Sequence, residues 1–129
     1  MSRKYKQKQA YNGYVYIIKA WIGVDVVYKI GTTNRTPLHR LGEIGAEMHA
    51  KIGYSPKMVI VKQQQTRDNY KVEADVLANT VKHRYDLQCD AAVCGESELR
   101  KMDENELCRI YDECIRKDYP AEIGFKVEL

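Results

Sequence analysis

Three stretches of this sequence carry side chains that packing alone explains poorly. The first is a pair of short runs, Tyr14-Val15-Tyr16 and Tyr28-Lys29-Ile30-Gly31. Tyrosine packs well on a pleated sheet, which accounts for Tyr14 and Tyr28. Lys29 is different, because an amine set between apolar neighbours near a strand end is expected to face solvent or a ligand. The second is Arg40, which beside Lys29 and Arg35 could complete a cationic wall for a phosphate, where the bidentate guanidinium is useful. The third is Glu73. At about 100° per residue on a helix, Glu73 falls within the apolar arc marked by Val72, Val76, Thr80 and Leu77. A carboxylate there must be ion-paired, hydrogen-bonded or metal-bound, since desolvating it alone is costly. As a structural partner it could take Arg84, further along the same face, or a lysine from the sheet.

Together these residues hold no nucleophile and base for acyl transfer, and neither a Walker loop nor a dinucleotide fingerprint accompanies them. They suit phosphoryl chemistry instead. One carboxylate can hold a divalent cation, Arg and Lys can stabilise charge developing on phosphorus, and a tyrosine oxygen can help deprotonate water. A zinc site from His83, Cys89 and Cys94 is the competing metal arrangement. The spacing of the four cysteines matches neither CxxC pairs nor a disulfide framework.

The elements that must position these side chains follow from pattern. Tyr14–Ala20 and Val26–Ile30 are aromatic and β-branched and read as two strands, closed into a hairpin around Gly23, with Gly31 ending the second. Thr36-Pro37 reads as an N-cap and first helical position. That helix has Leu38, Leu41 and Ile44 on its apolar side, and Gly42 and Gly45 should keep it short. Lys57–Lys62 is a third strand. A helix from Thr66 or Asp68 to about Tyr85 carries Glu73. Another begins at Asp103, with Asp103 and Glu106 as a capping box and Leu107, Ile110, Tyr111 and Cys114 on one side. Ile123–Leu129 alternates enough for a short strand. The order predicts an α+β fold, a small and mostly antiparallel three-stranded sheet packed with helices.

At 129 residues this is one domain's worth of chain: a flexible basic arm over residues 1–12 and a single domain over 13–129. No apolar run reaches membrane-spanning length, and the polar, basic start argues against a signal peptide, so a cytoplasmic protein with reduced thiols is expected. The net charge of +3 hides an asymmetry: residues 1–67 carry 12 Lys/Arg against 3 Asp/Glu, and residues 68–129 carry 9 against 15. A basic half suits a polyanion.

The ordered residues resemble the GIY-YIG nucleases. Tyr14-Val15-Tyr16 and Lys29-Ile30-Gly31 match the paired motifs of that family, with Arg40 and Glu73 at the places of its helical arginine and glutamate. A phage-associated branch with a Tyr-Lys-Ile-Gly second motif is the nearest, and Gly95-Glu96 resembles a pair often found there. The resemblance implies that Tyr16 positions or deprotonates water, that Lys29 stands in for a tyrosine, that Arg40 binds the scissile phosphate, and that Glu73 holds Mg²⁺ or Mn²⁺. Arg35 would join Lys29 and Arg40 on nucleic acid. Tyr14 in place of glycine, and Ser97 in place of an aromatic residue, depart from the pattern. The expectation is a metal-dependent endonuclease acting on nucleic acid, with double-stranded DNA favoured by the resemblance and the host cytoplasm as its setting if phage-encoded. The alternative is a catalytically inactive module of the same fold that binds nucleic acid or a protein.

Overall fold

In a computed structural model of the chain, residues 13–86 and 98–118 are described. Strand β1 (Tyr14–Ile22) and strand β2 (Asp25–Thr33) form an antiparallel hairpin in which Ile22 faces Asp25, leaving Gly23 and Val24 as the two-residue turn. Gly23 sits at φ +62°, the positive value that the first position of a tight II′ hairpin turn requires. Both strands run further than pattern alone suggested, and β2 continues through Gly31 to Thr33. Strand β3 (Lys57–Gln65) pairs with β1, with a bulge between Ile17 and Ile18.

The fold is α+β, as expected, but the antiparallel sheet has four strands in the order β3-β1-β2-β4. The unforeseen member is β4, Leu99–Arg100, which pairs with Lys29 and Tyr28. Two residues cannot display a strand period, so nothing local marks it. Cys89 and Cys94 of the alternative zinc arrangement, the Gly95-Glu96 pair, Ser97, the basic arm and the Ile123–Leu129 strand lie outside the described residues.

Helix α1 (Pro37–Ile52) starts as the sequence predicts, with Thr36 as N-cap accepting from the His39 N–H and Pro37 in the first turn. It runs 16 residues despite its glycines. Leu38 is exposed, and Ile44 and Met48 form the buried stripe. Helix α2 (Asn69–Ala78) is shorter than its apolar pattern implies. The Thr80 hydroxyl donates back to the Val76 carbonyl at 2.8 Å, and the buried Arg100 guanidinium donates to Leu77 O and Thr80 Oγ1. Those donors satisfy the last carbonyls and end the helix, which a 3-10 turn (Val81–His83) follows. Helix α3 (Glu104–Asp118) is capped by Asp103, whose carboxylate accepts from the Glu106 N–H at 2.9 Å.

The sheet is covered on both faces. Tyr16, Ile18, Ala20 and Val27 pack against Ile44 and Met48 of α1. Val15, Ile17, Tyr28 and Ile30 pack against Val72 and Val76 of α2 and Leu107, Tyr111 and Cys114 of α3. Two-sided burial explains why Val15 to Ile18 read as an unbroken apolar run rather than an alternating one. The Tyr111 hydroxyl donates to the Val15 carbonyl at 2.7 Å and pins α3 to β1. Among the described residues no helix is long and apolar enough to cross a membrane.

Candidate active site

Hairpin register decides what meets what. Tyr16 faces Gly31, and Ile18 faces Lys29. Partners across a ladder share a face, as do residues two apart on one strand, so Tyr16 and Lys29 lie on the same face as diagonal neighbours. That is the face under α1, and only three residues separate the end of β2 from the start of α1, which carries Arg40 over it.

Tyr16 is only 1% exposed, and its ring lies across the backbone of Gly31. A Cβ on Gly31 would come within 2.4 Å of the Tyr16 hydroxyl and 2.6 Å of its Cζ. Glycine is therefore required here for close approach and not for backbone freedom. Gly31→Ala should cost about 1–3 kcal/mol in urea unfolding, the usual range for overpacking. In a Tyr16→Ala background the same substitution should cost nothing measurable, and an equal cost in both backgrounds would show that the clash is not its cause.

Burial pushes the Tyr16 hydroxyl up to about 12, against the opposing pull of the hydrogen-bonded Arg40 guanidinium. At neutral pH it is a neutral phenol that donates or accepts a hydrogen bond, not a base. Burial works against the charge of Arg40, but Tyr16, Glu43 and Glu47 more than compensate and hold it protonated. Arg40 Nη1 reaches Glu43 at 3.1 Å and Glu47 at 3.3 Å.

Lys29 does not face solvent. It is 4% exposed and its ammonium is bonded to Glu98. The correction has a physical cause: β4 covers β2 at this level, with Leu99 opposite Lys29, so the amine is enclosed and must carry its own counter-ion. Glu98 immediately precedes β4, at the end of that strand where Leu99 pairs with Lys29. Glu73, half-buried on α2, meets it there. The alternative partner Arg84 lies beyond the end of α2 and pairs with Asp86 instead. Burial, a hydrogen bond to Glu98 and the charge of that carboxylate push Glu73 up to about 7, with Lys29 pulling the other way. The Glu73 carboxyl group therefore keeps its proton to a higher pH than a free glutamate does.

The structure brings together Tyr16, Lys29, Arg40 and Glu73, and adds Glu98, which sequence reasoning did not find. Its one local signal is a carboxylate directly before the apolar Leu99. Arg35 stands at the margin, exposed, with its guanidinium 2.8 Å from Glu43.

A family model for the T5orf172 domain matches residues 13–116. The chain belongs to the T5orf172 domain family. This corrects the GIY-YIG resemblance, since the family matched is a distinct one. The hairpin residues that carried the resemblance have packing reasons of their own: Val15, Tyr16 and Ile30 are core, and Gly31 makes room for Tyr16. No curated protein and no solved structure matches the T5orf172 chain. All five clustered residues of the T5orf172 domain lie inside the matched span.

Proposed function

We propose that this T5orf172 domain hydrolyses phosphodiester bonds in nucleic acid. The observation that carries the reading is the convergence of a paired carboxyl group, Glu73 with Glu98, on two cations, Lys29 and Arg40, and the buried Tyr16 hydroxyl. The basic first half of the chain supports a polyanionic substrate.

Two adjacent carboxylates supply the hard oxygen donors that Mg²⁺ or Mn²⁺ prefers. Among the described residues no group of three or more acidic, His or Cys side chains could hold a metal ion. Glu73 and Glu98 are the described residues that would hold such a cation. When bound, it would supply Lewis-acid polarisation of the phosphate. The protein's own groups do the rest. Arg40 would bind a non-bridging phosphate oxygen, and Lys29 would stabilise the negative charge that grows on the phosphate. Tyr16 orients water or phosphate through its retained proton.

A second reading, a binding module without catalysis, is favoured by one observation: Lys29 is neutralised by Glu98, and Arg40 by Glu43 and Glu47. Supercoiled plasmid and RNA, each incubated with Mg²⁺, Mn²⁺ or EDTA, separate the two. Cleavage that needs both a divalent cation and Glu73 is the expected result. Retention of nucleic acid with no cleavage under any condition would establish the module instead. Neither cleavage nor retention would overturn both. With the GIY-YIG resemblance corrected, the preference for double-stranded DNA lacks its former support, and the RNA arm decides it.

A further inference from the structure

Beside this cluster, the first turns of α1 gather a second group. The Glu43 carboxylate is met by three nitrogen-bearing side chains: Arg35 Nη2 at 2.8 Å and His39 Nε2 at 3.3 Å on one oxygen, and Arg40 Nη1 at 3.1 Å on the other. Arg40 also touches Glu47 at 3.3 Å. Arg35 precedes the helix, so three points on the chain converge on one anion. Two guanidinium groups and an imidazole around two oxygens is the donor arrangement that phosphate oxygens take. Arg35 is 64% exposed, His39 49% and Glu43 37%, so these pairs are weak and exchangeable.

We infer that in the free protein Glu43 holds the place of a backbone phosphate of a nucleic-acid strand, and that Arg35, His39 and Arg40 are the subsite which receives that phosphate. This rests on the nucleic-acid reading above and deepens it. It places substrate-strand contacts at the α1 end of the cluster and makes Glu43 an internal competitor. On binding, Glu43 swings into solvent, which its exposure permits, and the guanidinium groups pass to the phosphate. Arg40 then joins the two parts of the site, since it contacts both Tyr16 and Glu43.

The test is fluorescence anisotropy of a labelled oligonucleotide in EDTA, which reads binding without cleavage. Glu43→Gln removes the competing charge and should tighten binding about fivefold, the scale of one exposed ion pair. Its salt dependence should steepen by about one counterion. Glu113→Gln is the control: it makes the same change of net charge and also breaks an arginine pair, with Arg109 at 3.1 Å, but on α3 across the sheet. It should leave affinity unchanged. Arg35→Ala combined with Glu43→Gln should cancel the gain. Wild-type binding with no gain in Glu43→Gln, or an equal gain in Glu113→Gln, would overturn this inference alone. Failure of every variant and the wild type to bind would overturn it together with the nucleic-acid reading.

Discussion

Glu73→Gln should leave a folded protein that still retains nucleic acid but cleaves it negligibly at any Mg²⁺ concentration. Glutamine keeps the shape of the side chain and one carbonyl oxygen. It loses the charge that a hard cation requires. Stability should move in the other direction. In EDTA the raised value of Glu73, about 7 against 4.5 for a free glutamate, means that the folded protein binds this proton more tightly than the unfolded chain does. That contribution is fully present below about pH 4.5 and is lost as pH rises through 7. The wild type should therefore weaken across this window while Glu73→Gln does not, so the variant's relative melting temperature should climb from pH 5 to pH 8. A plasmid assay and melts at two pH values measure both effects. Wild-type cleavage by the variant would remove Glu73 from the chemistry, and a melting difference independent of pH would show that Glu73 does not hold its proton more tightly in the folded protein.

Lys29→Met should carry the largest stability cost of the substitutions considered. It leaves the Glu73 and Glu98 carboxyl groups facing each other with the buried ammonium gone. Removing one partner of a buried pair costs about 3–5 kcal/mol. The lower end applies because the Glu98 side chain remains 27% exposed. A melting point lower by roughly 10 °C is expected for a domain of this size. The deficit should be greatest above neutral pH and fade in acid as the carboxyl groups take up protons. Adding Glu98→Gln should restore most of the stability by removing the stranded charge, and that double variant makes the activity measurement interpretable. If Lys29 stabilises charge on phosphorus, the double variant folds but is slower by about two to three orders of magnitude. A double variant both stable and fully active would reduce the pair to a structural one.

Much of the framework is legible in the sequence because it rests on local physics. The strands around Tyr16 and Lys29 show in β-branched and aromatic runs, and the hairpin in Gly23. The start of α1 shows in Thr36-Pro37, and the cap of α3 in Asp103 and Glu106. Each depends on residues within a few positions of one another, where propensity and capping operate. That Lys29 and Glu73 need partners was also legible, since polar groups at apolar positions need them wherever the chain puts them.

What they pair with was decided by tertiary structure alone. Lys29 meets Glu98 across 69 residues of sequence. The strand that encloses it, β4, is too short for any periodicity, and it is this strand, paired to β2, that sets Glu98 beside Lys29. Helix α2 ends at Ala78, where Arg100, brought in by that same strand, donates to the Leu77 carbonyl and to the Thr80 hydroxyl. Arg84, set on the Glu73 face by helical period, therefore leaves that face. Gly31 reads as a strand terminator by local rules, yet the register with Tyr16 makes it the floor beneath a ring. Residue type and spacing set which side chains needed partners, whereas pairing between distant segments, which no local pattern encodes, determined which partners they found.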